Sequence, residues 1–156
     1  MIFIKKDGDK FVGFDETAGR SYSIAELEQM ANNNDTEAQC AAGDYYNATS
    51  NFNTAKSWYE KAAAKNHARA QWNMSLLCAG GLGGCEKDMA KAKIWAKKSA
   101  EQDWPPAMLT LGQLYTMDNE YDDAIYWIEK ADARGVPEAK TFLEQVLQLK
   151  TILGFD

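Results

Sequence analysis

Histidine is almost missing from this chain: its 156 residues include one, His67, and only three cysteines, Cys40, Cys78 and Cys85. With one histidine no His–His metal pair can be built, and a Ser-His-Asp group has no spare histidine to draw on. His67 sits beside Asn66, which reads as a helix end, so its side chain is expected to be exposed. The odd cysteine count lacks the spacing of a disulfide framework and suits reduced thiols in a cytoplasm, with a processed periplasmic form as the alternative. Six residues separate Cys78 from Cys85, outside the C-x₂₋₄-C spacing of a zinc knuckle, so no metal and no cofactor is expected. No apolar run approaches the length of about 18 residues that a membrane-spanning helix needs, which excludes one. The four apolar residues that open the chain fall short of the roughly 7 to 15 of a secretory core. Positive charge is scarce as well, with 17 Lys and Arg against 23 Asp and Glu and a net charge of −6. Phosphate backbones require clustered cations, so nucleic-acid binding is disfavoured and a basic protein partner is electrostatically easier.

What is present is a repeat. The stretch Ala55–Gln71, AKSWYEKAAAKNHARAQ, returns in degenerate form at Ala92–Met108 and at Ala124–Lys140. In each copy an alanine stands three residues before a tryptophan (Trp58, Trp95, Trp127) and another twelve residues after it (Ala70, Ala107, Ala139). The spacing from one tryptophan to the next falls in the range of about 20–50 residues where self-similarity means a stack of supersecondary units. Apolar residues recur at three- and four-residue steps, which predicts leading helices over 36–48, 68–79, 106–117 and 138–150 and returning helices over 53–65, 88–102 and 121–133. Small alanines let the helices approach, and the tryptophans are expected to fill the space between them. Asn66, Asp103 and Gly135 are the expected left-handed residues closing the returning helices.

The segment ahead of Ser23 differs. Ile2-Phe3-Ile4, a type I′ turn at Asp7-Gly8 and Lys10–Phe14 predict a β-hairpin, with Phe3, Phe11 and Phe14 packing on the first helix as a cap. Ser23-Ile24-Ala25-Glu26 is a capping box that starts this first helix, which ends in the Asn32–Asn34 run before an N-cap at Asp35. The whole chain, 1–156, reads as one domain: a cap over 1–22, repeats over 23–150 and a tail, Thr151–Asp156, whose Ile152, Leu153 and Phe155 either fold back or meet a second copy.

These residues resemble the Sel-one-like repeat family, relatives of the tetratricopeptide repeats. Ala107, Leu111, Gly112 and Tyr115 match the family's leading helix, as do Ala38, Gly43 and Tyr46, while Met74, Ser75 and Cys78 depart from it. Lys91, Ala92, Trp95, Lys98 and Ala100 match the returning helix, and Gly80–Gly84 corresponds to the family's longer connection. The resemblance implies a right-handed α-α solenoid that serves as a protein-binding adaptor. Carrying over the tetratricopeptide groove positions places Cys40, Asp44, Asn47, Trp72, Leu76, Leu109, Gln113, Thr116 and Gln145 on the concave side, with Trp72, Leu76 and Leu109 as an apolar hot spot. Trp72 has an alternative place, buried between units.

Catalysis finds little support. Gly80–Gly84 is followed by no Lys-Ser or Lys-Thr and preceded by no strand, so it is no phosphate loop. Asp122-Asp123 suits the N-terminus of a helix better than acid–base chemistry. Residues 68–105 carry six basic and four acidic groups and residues 106–137 two and six, so the third unit suits a cation-rich partner best. A chain that is nearly all solenoid acts by occupying its partner. The expectation is therefore a non-enzymatic inhibitor or immunity-type protein that neutralises a toxin or enzyme, with a scaffold for complex assembly as the near alternative and a hydrolase or transferase as the one from a different class.

Overall fold

The boundaries of the helices follow signals carried by the chain. In the computed structural model, which describes residues 1–154, three strands precede the helices: β1 (Ile2–Asp7), β2 (Lys10–Asp15) and β3 (Arg20–Tyr22). The helices are α1 (Ile24–Asn32), α2 (Thr36–Ala48), α3 (Phe52–Ala64), α4 (Ala68–Gly80), α5 (Met89–Ala100), α6 (Pro105–Met117), α7 (Tyr121–Ala133) and α8 (Ala139–Leu153). The capping box forms: Glu26 N–H donates to Ser23 Oγ at 3.3 Å and Ser23 N–H to Glu26 Oε2 at 2.8 Å. Asn66, Asp103 and Gly135 are all left-handed, as are Asn34 ahead of α2 and Ser50 and Asn119 after α2 and α6. The last helix runs to Leu153, so Thr151, Ile152 and Leu153 of the expected tail are helical, with Ile152 and Leu153 exposed; Phe155 lies outside the described residues.

Side-chain size organises the packing. All six repeat alanines (Ala55, Ala92, Ala124, Ala70, Ala107, Ala139) are completely buried. Gly43 on α2 lies against Tyr59 on α3 so closely that a Cβ there would stand 2.5 Å from the ring, and Gly112 on α6 meets Ile128 on α7 in the same way. The second unit has Ser75 at the glycine position and Ala96 at the large one. Its departure from the pattern is thus an exchange of volume across one helix pair, glycine with a large residue in the first and third units and serine with alanine in the second. Trp58 and Trp127 are buried, and Trp95 is half-buried, packed against the core clusters on both sides of it.

The same device explains the N-terminal sheet. Leu27 on α1 stands one repeat length before Tyr59, and it too lies against a glycine, Gly13 of β2, where a Cβ would be 2.8 Å from its Cδ1. Gln39 reinforces the parallel: its amide donates to Ala31 O at 3.0 Å, as that of Gln71 does to Ala63 O at 3.4 Å. Helix α1 is therefore the returning helix of a unit whose leading helix is replaced by the sheet. β1 pairs antiparallel with β2, and β2 with β3, a third strand beyond the expected hairpin. The turn is Gly8-Asp9 rather than Asp7-Gly8, and only Gly8 of that pair has positive φ, whereas a type I′ turn needs it at both positions.

Register also corrects the packing face. Phe3 pairs with Phe14, their rings edge to face at 5.7 Å, and strand alternation puts both on the side away from the helices. The face that packs carries Ile2, Ile4 and Tyr22, which join Leu27, Ile24, Met30 and Ala41. Gly13 decides this: only a residue without a side chain admits Leu27.

Candidate partner-binding cleft

The leading helices α4, α6 and α8 position the expected groove residues. Leu109 and Gln113 of α6 line a cleft of about 410 Å³ together with Phe142 and Gln145 of α8 and with Pro137, Glu138 and Thr141. Leu109 is 9% exposed and forms the floor, while the amides of Gln113 and Gln145 are exposed. Trp72 lies at the α4–α6 seam: its indole N–H donates to Thr110 Oγ1 at 2.9 Å, and that hydroxyl donates to Pro106 O at 3.0 Å. The ring packs on the core yet stays half-buried, a position between the two alternatives open to it. Leu76 is exposed one turn further along α4, and Asn47 is exposed on α2. Thr116 returns its hydroxyl to Gly112 O at 2.8 Å. Pro137, Glu138, Thr141 and Phe142 are the cleft residues that sequence reasoning missed, and Thr110 the missed residue of the seam. Phe142 was within reach, being three residues before Gln145 on one helical face.

Two groove residues are placed elsewhere. Cys40 is completely buried, and the Asp44 carboxylate is committed to a network around Arg69 at the α2–α4 junction. Arg69 Nη2 donates to Ile2 O at 2.6 Å and Glu37 Oε1 at 3.1 Å; its Nε donates to Cys40 Sγ at 3.2 Å and lies 3.4 Å from Asp44 Oδ2. Asp44 Oδ1 accepts from the Tyr59 hydroxyl at 2.8 Å and the Asn73 amide at 2.9 Å. Glu37 Oε1 also accepts from Ile2 N–H at 2.9 Å, and its Oε2 faces His67 Nε2 at 3.0 Å. His67 is therefore not the exposed turn residue expected, since its Nδ1 accepts from Ala70 N–H at 3.3 Å and caps α4.

Burial works against charge on Glu37, yet the His67 bond, the Ile2 amide and the Arg69 guanidinium together hold its carboxyl down to about 2. Burial pushes the Asp44 carboxyl up, with Arg69, Tyr59 and Asn73 acting in opposition. The carboxylates of Glu37 and Asp44 and the side chains of Tyr59 and Asn73 are held in bonds around Arg69, which is 8% exposed. What the cluster does is clamp β1 to α2 and α4 by both backbone groups of Ile2.

Two further clefts flank the half-buried Trp95 on the returning-helix side. One of about 460 Å³ is bounded by Lys56, Glu60, Met74, Cys78, Cys85 and Lys91, and one of about 450 Å³ by Gln71, Lys98 and Gln102 among others. Among the described residues no helix is long and apolar enough to cross a membrane.

A stack of helix pairs whose leading helices carry a surface cleft defines an α-solenoid of the interaction-module kind. The Sel1 repeat model matches residues 36–67, 68–104 and 105–135, and the chain belongs to the Sel1 repeat family. Its members generally mediate protein–protein contacts and typically work as non-enzymatic scaffolds. No curated protein sequence matches the chain. Among solved structures it is similar to c5321, a protective antigen present in uropathogenic Escherichia coli strains and displaying an SLR fold, with 28% identity and a TM-score of 0.75. That match covers 81% of this chain and 28% of the antigen. A Sel1 repeat protein from Oxalobacter formigenes is similar at 27% identity and a TM-score of 0.68, over 77% of this chain and 52% of the other. The chain thus spans only part of the length of either structure.

Proposed function

We propose that the chain binds an extended segment of another protein in the α6–α8 cleft and acts without catalysis, as one body formed by the sheet and the repeats. The observation that carries this reading is the pairing of an apolar floor, Leu109 and Phe142, with two exposed amides, Gln113 and Gln145, across about 410 Å³. An extended peptide carries unpaired main-chain donors and acceptors, which the two side-chain amides can meet, and apolar side chains, which the Leu109 and Phe142 floor can bury. Glu138 at the cleft and the net charge of −6 favour a basic segment. Trp72 and Leu76 extend the contact along α4, and Asn47 and Thr116 stand at its margins.

Within that reading the chain is a cytoplasmic inhibitor of the immunity type, which neutralises a toxin or enzyme by occupying it. A photo-crosslinking residue at Gln113 is expected to capture a protein, while the same residue at Ile94, exposed on returning helix α5, captures none. The captured protein should lose its activity when mixed one to one with the chain. Full activity in the complex would discard inhibition and leave the scaffold role; equal capture at Ile94 would discard the cleft.

A further inference from the structure

The loop between α4 and α5 holds two thiols in contact. Cys78 lies in the last turn of α4 and Cys85 beyond the glycine run, with their Sγ atoms 4.0 Å apart. A disulfide needs about 2.05 Å, so each sulfur has roughly 1 Å to travel. The loop brings Cys85 back over the helix end by specific bonds: Leu82 N–H to Leu77 O at 2.9 Å, Cys85 N–H to Leu82 O at 3.1 Å and Asp88 N–H to Cys78 O at 3.0 Å. Gly81, Gly83 and Gly84 all have positive φ, and a Cβ on Gly83 would stand 2.5 Å from Phe52 O, so the path packs on α3 as well. The glycines serve a close return of the chain, not a phosphate.

We propose that Cys78 and Cys85 form a redox-responsive latch that closes by exchange with a low-molecular-weight disulfide. The half-buried Cys85, as thiolate, attacks one sulfur of the small disulfide and expels the other half as a thiolate. Cys78 then gives up its proton to solvent and attacks Cys85 Sγ, and the second small thiolate leaves. Two protein S–H bonds and one small-molecule S–S bond are lost; one protein S–S bond and two small thiols are formed. Cys85 is half-buried and Cys78 only 1% exposed, which makes Cys85 the point of entry and Cys78 the resolving group; burial and the neighbouring Cys85 also raise the Cys78 thiol above its ordinary range. Cys40, completely buried against Arg69, takes no part. The bond ties the loop to α4 on the wall of the cleft of about 460 Å³ that both cysteines line.

The test uses the full chain incubated with oxidised glutathione, quenched with acid, alkylated in denaturant and digested with trypsin. Both cysteines fall in the one peptide 70–87. That peptide is expected to lose about 2 Da and take up no alkylating agent, to recover both alkylation sites after reduction, and the Cys40 peptide to be alkylated throughout. With Cys78→Ser, the glutathione adduct on Cys85 should accumulate instead. A wild-type chain that keeps the adduct on Cys85 with Cys78 still alkylated, or that yields only disulfides between two chains, would overturn the latch.

Discussion

The exchange of volume between paired helices makes Gly112→Ala an informative substitution. The added Cβ would stand 2.5 Å from Ile128 Cγ1, 3.3 Å from its Cδ1 and 3.2 Å from the backbone oxygen of Ala124. Isoleucine is stiff at χ1 and the carbonyl belongs to a helix, so neither neighbour yields easily. Overpacking of this degree costs about 1–3 kcal/mol, offset by the roughly 1 kcal/mol that alanine gains over glycine inside a helix. The net expectation is a loss of about 0–2 kcal/mol. Ile128→Ala alone, at a completely buried site, should cost about 2–5 kcal/mol. The double mutant removes the clash, keeps the helix gain and partly fills the cavity, and so recreates the small-with-small pairing of Ser75 and Ala96. It should be more stable than the sum of the single losses predicts by about 2 kcal/mol, a coupling expected only of residues in contact. Urea unfolding followed by far-ultraviolet circular dichroism measures all four corners of the cycle, with a constant slope as the check that whole-chain unfolding is being compared. Additivity within about 0.5 kcal/mol would refute the argument, because independent sites behave that way.

The Arg69 network gives two further expectations. Glu37 has a lower pKa folded than unfolded, so its contribution is complete above the unfolded value of 4.5 and is lost as pH falls towards about 2. With its side chain one-third exposed, about 1–2 kcal/mol is expected after solvent screening, and Glu37→Gln should flatten the stability profile between about pH 5 and 2 in denaturant titrations. Arg69→Ala strands Glu37 and Asp44 and should cost about 3–5 kcal/mol, and faster hydrogen exchange in β1 would show the clamp on Ile2 to be lost. Trp72→Phe keeps the ring packing but removes the bond to Thr110, for a stability loss of about 0.5–1.5 kcal/mol by thermal unfolding.

Much of the fold was legible because local signals agreed in register. Ser23 with Glu26, the left-handed Asn66, Asp103 and Gly135, and the six alanines each have one job that the sequence states directly. The sheet was less legible. KFVGF offers two faces to a period-two reading, and the one that packs depends on Gly13 admitting Leu27, a contact between elements. His67 and Asp44 were misplaced for a related reason. Each has its partner on another helix, far along the chain, Glu37 for the one and Arg69 for the other, and polar pairing of that range leaves no periodic trace. The cleft residues Leu109, Gln113 and Gln145 were named by carrying over the groove positions of the tetratricopeptide repeats, which the resemblance supplied. Phe142 completes the cleft and Thr110 the seam through contacts between successive units, which the carried-over positions do not supply.

The most direct measurement is the affinity of the crosslinked partner, once purified, for the wild-type chain and for Gln113→Ala/Gln145→Ala. Both residues are exposed, so stability should change by less than about 0.5 kcal/mol per site. Loss of two hydrogen bonds to the bound segment should weaken binding about tenfold or more by calorimetry. An unchanged dissociation constant with an intact fold would contradict binding through the α6–α8 cleft.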